Sequence, residues 1–470
     1  MADSAGRMHR YRSLVRLKNP WSLLPSLLQR GLPIILATLL SRPLGYVRAA
    51  IQAWLFGATA AMDAFVLAFS IPSILQVILL TGPLSSILVP TLTAYRDDRQ
   101  AFNRLFNGLF TLCLTFGVLI SFLASYYAAG IMELAGPGLD STTRALATWL
   151  FRLTLPMLVM QALLSICKGA LNTLDHYGAP EYAGAVFNVV MIATAVLLAQ
   201  RLGIMSLAIG ASLGSAAQLL MQFPFLWRHG IRYRLRFRLD LDIRQFMRLS
   251  QGAFISAMVT PLNAFIDRRL ASFLFPGAVA ALNYAFLLFL LPASLCVVPL
   301  STVLLTDLAS LYHQGHIEVL QQRALSALRL VLILTVPVAC IAAWLATPVT
   351  SLVYEYGRFQ AADTVYTAAA LWAYVLGLPF YGTTHVLSRC FYATQDTMTP
   401  ALVNIAALGL NIVCDLLFMR WFSHWGIALA STVVMLMSTL ALYTLFRRRC
   451  RRLKALSSEV RDLDSPSQVE

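Results

Sequence analysis

The side chains in this sequence that could do chemistry are charged groups set within apolar runs. Arg30, Arg42, Arg48, Asp63, Arg152, Lys168, Asp267, Arg268, Arg269, Asp307, His385, Arg389 and Asp415 all fall in or beside such runs. An ionisable side chain at bilayer depth costs at least about 2.5–3.5 kcal/mol on insertion scales, so each marks a candidate function. Many lie near the ends of their runs, where a long side chain can carry its charge to the interface. Arg152, Lys168, Asp307 and Asp415 are read that way. Arg42 and Arg48 differ. The stretch SRPLGYVRAA puts Pro43 and Gly45 between them, which are expected to break the helix and free backbone groups that must face water or protein. Two guanidiniums beside a solvated cavity suit bidentate contact with phosphate or carboxylate, and Asp63 is an expected ion-pair partner for one of them. A cavity with fixed positive charge favours an anionic substrate.

The elements that must position these groups are membrane helices. Of 470 residues, 59% are hydrophobic and 12% charged, too few charges for the surface of a soluble protein of this length. The fold class is an all-α polytopic membrane protein, because lipid-exposed backbone must bond to itself and these runs are of helical length. About twelve apolar runs can cross the bilayer, with cores at 23–45, 61–92, 103–128, 145–171, 182–200, 204–227, 246–274, 278–311, 325–347, 363–393, 400–421 and 425–446. The net charge of +15 is concentrated beside apolar segments, at Arg7–Lys18, Arg228–Arg248 and Arg447–Lys454. That is the pattern of membrane topology and attraction to anionic lipid; no nucleic-acid partner is expected. The positive-inside bias gives a basic cytoplasmic N-terminus (1–22), a first lobe of six spans (23–227) and an Arg-rich cytoplasmic linker (228–245). A second lobe of six spans (246–446) and a basic, then disordered, cytoplasmic tail (447–470) follow. The first helix is read as retained rather than as a cleaved signal. The seven cysteines have no paired spacing and read as small packing residues.

The halves resemble each other. PLSSILVPTL starts at Pro83 and PLSTVLLTDL at Pro299, an offset of 216 (299 − 83). LPMLVMQALLSICKGA from Leu155 and LPFYGTTHVLSRCFYA from Leu378 match at 223 (378 − 155). Six spans per half make this a parallel repeat about an axis along the membrane normal. It predicts a central cavity between two bundles, with access alternating as they rock.

The stretches SRPLGYVRAAIQAWLFGATAAMDAFVLAF, YEYGRFQAADT, AYVLGLP and SRCFYATQDTMTP resemble the MurJ/MviN family of lipid II flippases, within the multidrug/oligosaccharidyl-lipid/polysaccharide exporter superfamily. The resemblance runs from about Arg42 to about Arg447. It implies two six-helix lobes around a cationic cavity and movement of an undecaprenyl-pyrophosphate-linked saccharide across the bacterial inner membrane. By position, Arg42, Arg48 and Asp63 match the family's cavity residues. There are departures. Gln76, Val77 and Thr81 stand where the second helix of the family usually carries charges, and Phe286 and Leu287 replace an Asp-Arg pair in the eighth. Ala49 stands where an Asp commonly follows the second arginine. The sequence also stops after its twelfth run, whereas well-known lipid II flippases have two further helices. Arg268 and Arg269 lie where members are usually uncharged, and are expected to supply relocated positive charge with Asp267 as partner.

These losses favour the repeat unit of an exopolysaccharide as cargo, with lipid II as the alternative. A membrane glycosyltransferase or polymerase would want paired carboxylates in a polar loop; Asp97-Asp98 in YRDDRQ is a short solvated turn. A drug/cation antiporter would want acidic residues deep in its cavity. No GxxxxGK[ST] stretch and no metal-ligand spacing of histidines occurs, so neither an enzymatic role nor a cofactor is expected. The expected partners are the lipid-linked glycan, membrane lipid and proteins of glycan synthesis or polymerisation.

Overall fold

The computed structural model describes residues 20–81, 88–89, 91–236, 258–259 and 261–464, all helical or in turns and loops. Helix α1 is Pro20–Phe56 and α2 Ala60–Thr81; α3 is Arg99–Tyr126, α4 Ala128–Ala135, α5 Ser141–Thr173, α6 Gly178–Leu202 and α7 Met205–Arg228. After a helical stretch at 261–271 come α8 (Ala278–His313), α9 (Ile317–Trp344), α10 (Ala346–Tyr354), α11 (Ala361–Val375), α12 (Leu378–Ala393) and α13 (Met398–Asp464). Among the described residues seven helices are long and apolar enough to cross a bilayer, or eight if α11 and α12 form one bent span. Residues 246–257 and 260 of the span expected at 246–274 lie outside the described residues.

Local chemistry explains where these helices start, bend and stop. Asp98 and Asp140 cap α3 and α5 by accepting from Ala101 and Gln100, and from Thr142 and Thr143. Those bonds hold both carboxyls below the usual carboxylate range. Contrary to expectation, Pro43 and Gly45 do not break α1, which runs unbroken to Phe56. Helix α6 packs alongside: Asn188 Nδ2 donates to the Ser41 carbonyl at 3.1 Å. The run at 363–393 is two helices bent by 43°, since Gly377 and Pro379 interrupt the backbone ladder. Hydroxyls of α13 support that bend, Thr432 donating to Ala373 O at 2.7 Å and Thr439 to Phe380 O at 3.1 Å. Helix α13 breaks at Ser423 (φ 54°, ψ −139°) and then continues to Asp464, so the tail expected to be disordered after Lys454 is helical as far as Asp464. LKALSSEVRDLD contains no breaker, and Pro466 is the first proline beyond it.

The element boundaries repeat at a nearly constant offset. The caps Asp140 and Gln360 differ by 220 (360 − 140), as do the turns at Gly203 (φ 56°, ψ −139°) and Ser423 (423 − 203). The starts of α2 and α8 differ by 218 (278 − 60). The sequence match at 223 is therefore slid by three residues, close to one helical turn, a shift that apolar helices tolerate in pattern.

Helices α1 to α7 pack among themselves, as do α8, α9 and α11 to α13; the two groups meet where α2 touches α8 and α1 touches α10. One buried core runs through both groups at that meeting, from Phe56, Met62 and Phe65 to Tyr284, Phe289 and Tyr354. Toward the opposite helix ends each group has its own core, one around Leu88, Phe106 and Cys167, the other around Leu308, Leu387 and Cys390.

Candidate functional site

The meeting of the groups is a seam of backbone against backbone. Arg358 N donates to Trp54 O at 2.9 Å, and Ala58 N to Asp363 Oδ2 at 3.4 Å. Two positions there require glycine: at Gly277 (φ 98°) a Cβ would collide with the Ala58 carbonyl, and at Gly357 (φ 64°) with that of Trp54. Asp63 is buried in this seam. Its Oδ1 accepts from Ala280 N at 2.7 Å and its Oδ2 from Gly277 N at 2.5 Å, so a carboxylate of α2 caps the N-terminus of α8. The expected pairing of Asp63 with Arg42 or Arg48 is thus corrected: its oxygens face orphan amides at a helix end, which satisfy a carboxylate without a cation.

The arginines are placed apart from it. Arg42 is exposed on α1 and reaches Ser294 O of α8 at 3.3 Å. Arg48 is half-buried against α6, with its guanidinium 5.5 Å from the Phe187 ring centre and 3.7 Å from Met191 Sδ. Its Nε is buried without a hydrogen-bond partner. Arg268 donates to Asn283 Oδ1 of α8 at 3.3 Å, and Arg269 is half-buried. Asp267 bonds to Asn411 rather than to Arg268. Arg30 has no described side chain, Asp307 is exposed, and Arg152, well inside α5, stacks on Trp149 at 5.5 Å and donates to Ser125 O at 3.3 Å.

A cavity of about 510 Å³ lies within the C-terminal group. Asp267, Asn263, Phe286, Tyr381, His385, Arg389, Asn404 and Asn411 are among its walls. At its inner end Asn411 Nδ2 bridges two carboxylates, Asp267 Oδ1 at 2.8 Å and Asp415 Oδ2 at 2.6 Å. Asp415 is fully buried, not the interfacial residue that its place in the sequence suggested. Asn411 Oδ1 and Asp415 Oδ1 are buried and unpartnered. Such a set of hard oxygens suits a proton or a monovalent cation, which relieves the repulsion of two buried carboxylates. Phe286, one of the residues replacing an expected charge, forms apolar wall. Sequence reasoning missed Asn404 and Asn411; their spacing of seven on one apolar run, which puts both on one helix face, was the available signal.

A family profile described as "Lipid II flippase MurJ" matches residues 52–461. The chain belongs to the MurJ family. A probable lipid II flippase MurJ of Haemophilus influenzae is 30% identical over 435 residues, 87% of this chain and 84% of that one. One of Buchnera aphidicola is 29% identical over 416 residues, covering 87% and 81%. Among solved structures, a lipid II flippase MurJ in an inward closed conformation superposes with a TM-score of 0.79 at 26% identity, over 93% of each chain. As a MurJ-family member the protein is a multi-pass membrane transporter of lipid-linked glycan and not an enzyme.

Proposed function

We propose that the protein flips lipid II from the cytoplasmic to the periplasmic leaflet of a bacterial inner membrane by alternating access. The names of its relatives support that cargo over the exopolysaccharide unit favoured by the missing charges. The observation that carries the mechanism is the single shared core at one end and the separate cores at the other. On this reading the two groups are six-helix lobes related by a pseudo-two-fold axis, and the seam is the periplasmic gate, held shut. Likeness to an inward closed MurJ supports that sidedness. So does Arg449 of the basic tail, which grips Thr394 and Asp396 at the end away from the seam, the cytoplasmic end by charge bias. Both termini are then cytoplasmic.

Polar sugars and a pyrophosphate cannot cross about 30 Å of hydrocarbon unaided, so the protein replaces water around the head group while the tail stays in lipid. Arg42, Arg48, Arg268 and Arg269 supply the positive charge. Asp63 releases the α8 N-terminus when the gate opens. The Asp267–Asn411–Asp415 set exchanges a proton or cation to drive the cycle.

A second reading, the repeat unit of an exopolysaccharide, is favoured by one observation: the cavity wall at Phe286 is a phenyl ring. Expression in a bacterium depleted of its own lipid II flippase separates the two. Restored growth is expected. Lysis, with the protein present in the membrane, would assign the other cargo.

A further inference from the structure

His385 and Arg389 sit one turn apart on α12, and both line the C-terminal cavity. Arg389 is half-buried and, among the described residues, forms neither a hydrogen bond nor an ion pair. A guanidinium in a partly dry cavity is costly without a counter-charge. Among the described lining residues the one carboxylate is Asp267, and its Oδ1 is turned to Asn411. The two ends also differ in depth. Arg389 is four residues from the end of α12 at Ala393, about 6 Å, whereas Asn411 is thirteen residues into α13, about 20 Å. An anion near Arg389 is therefore set well apart from the buried carboxylates.

The neighbouring surface fits a phosphorylated sugar. Tyr381, whose ring centre is 4.5 Å from that of His385, and Tyr392 present aromatic faces. Ser388 and Asn404 offer neutral hydrogen-bonding groups. The cavity volume of 510 Å³ falls within the roughly 300–1,000 Å³ of small-ligand pockets, enough for a pyrophosphate and an attached sugar.

We propose that Arg389, assisted by His385, forms an anion subsite inside the C-terminal group that takes the pyrophosphate of the lipid-linked cargo. The subsite deepens the flippase reading and rests on it. It gives the head group a second station, within one lobe, besides the arginines of α1.

The test is binding of undecaprenyl pyrophosphate and of uncharged undecaprenol to the purified full-length protein, followed by tryptophan fluorescence. The wild type is expected to prefer the pyrophosphate. Arg389→Gln should reduce that preference about tenfold or more, with undecaprenol binding intact as the sign of a folded protein. Arg389→Lys should keep most of it, and His385→Asn should cost less than Arg389→Gln. An undiminished preference in Arg389→Gln overturns the subsite and leaves the flippase reading standing. A wild type that does not discriminate the two lipids overturns both. Should Arg389→Gln lose both lipids through misfolding, Arg389→Lys decides: a retained preference supports the subsite, and a lost one overturns it.

Discussion

Asp63→Asn is expected to open the sealed end of the protein. The carboxylate accepts two backbone N–H groups at the start of α8, at 2.5 and 2.7 Å, and is buried. Asparagine has one acceptor oxygen, so its amide N–H would confront one of the same donors. Hydrogen bonds to a charged group contribute about 1.5–3 kcal/mol each, and losing one shifts a two-state equilibrium by roughly 10- to 100-fold. The shift runs toward the open seam, because the cap exists only when the groups touch. Spin labels at the exposed residues Thr59 and Gln360, on opposite sides of the seam, would report it with the exposed Cys340 replaced. A longer, broader distance distribution is expected, with transport lost because the gate no longer holds. Unchanged distances with normal transport would remove Asp63 from the gate.

Arg48→Gln is expected to abolish transport while leaving the fold intact. Among the described residues the contacts of Arg48 are a ring face and a thioether, both weak, and its Nε has no partner. A charge held so loosely adds little to stability; replacing it should leave the melting temperature unchanged or raise it. A bidentate guanidinium–phosphate contact, by contrast, comprises two charge-assisted hydrogen bonds, so its loss should slow transport at least about 100-fold. Arg48→Lys should retain part of the activity, since lysine keeps the charge but not the fork. A variant that melts far lower yet transports normally would make Arg48 a packing residue.

Much of the architecture was legible in the sequence because apolar run length is a direct physical requirement of the bilayer. Helix boundaries at 99–126, 141–173 and 178–202 lie within a few residues of the expected spans. Arg48, too, was visible as a cation set within an apolar run. Asp63 was flagged, but for the wrong partner. Its hydrogen-bond donors are backbone amides 214 and 217 residues away, and nothing local to AAMDAF says which helix end will arrive there. Pro43 read as a break because proline removes an amide, yet α1 absorbs it and packs on α6, where Asn188 bonds to the Ser41 carbonyl. The polar core of the C-terminal group was hidden for another reason. Asn411 carries no charge, so a search for ionisable residues passes over the group that joins Asp267 to Asp415. The fused and separate cores depend on how two bundles lean, which no local pattern encodes.

Translocation by the purified protein in liposomes is the direct test of the central claim. Undecaprenyl-pyrophosphate-linked saccharide would be loaded in both leaflets, and its exposure to an external, membrane-impermeant glycan-modifying enzyme followed over time. The result expected is full modification with wild-type protein, and modification stopping near the outer-leaflet half without protein or with Arg48→Gln. Modification stopping at that same half with folded wild-type protein, in the presence of an imposed ion gradient and membrane potential, would contradict a flippase mechanism.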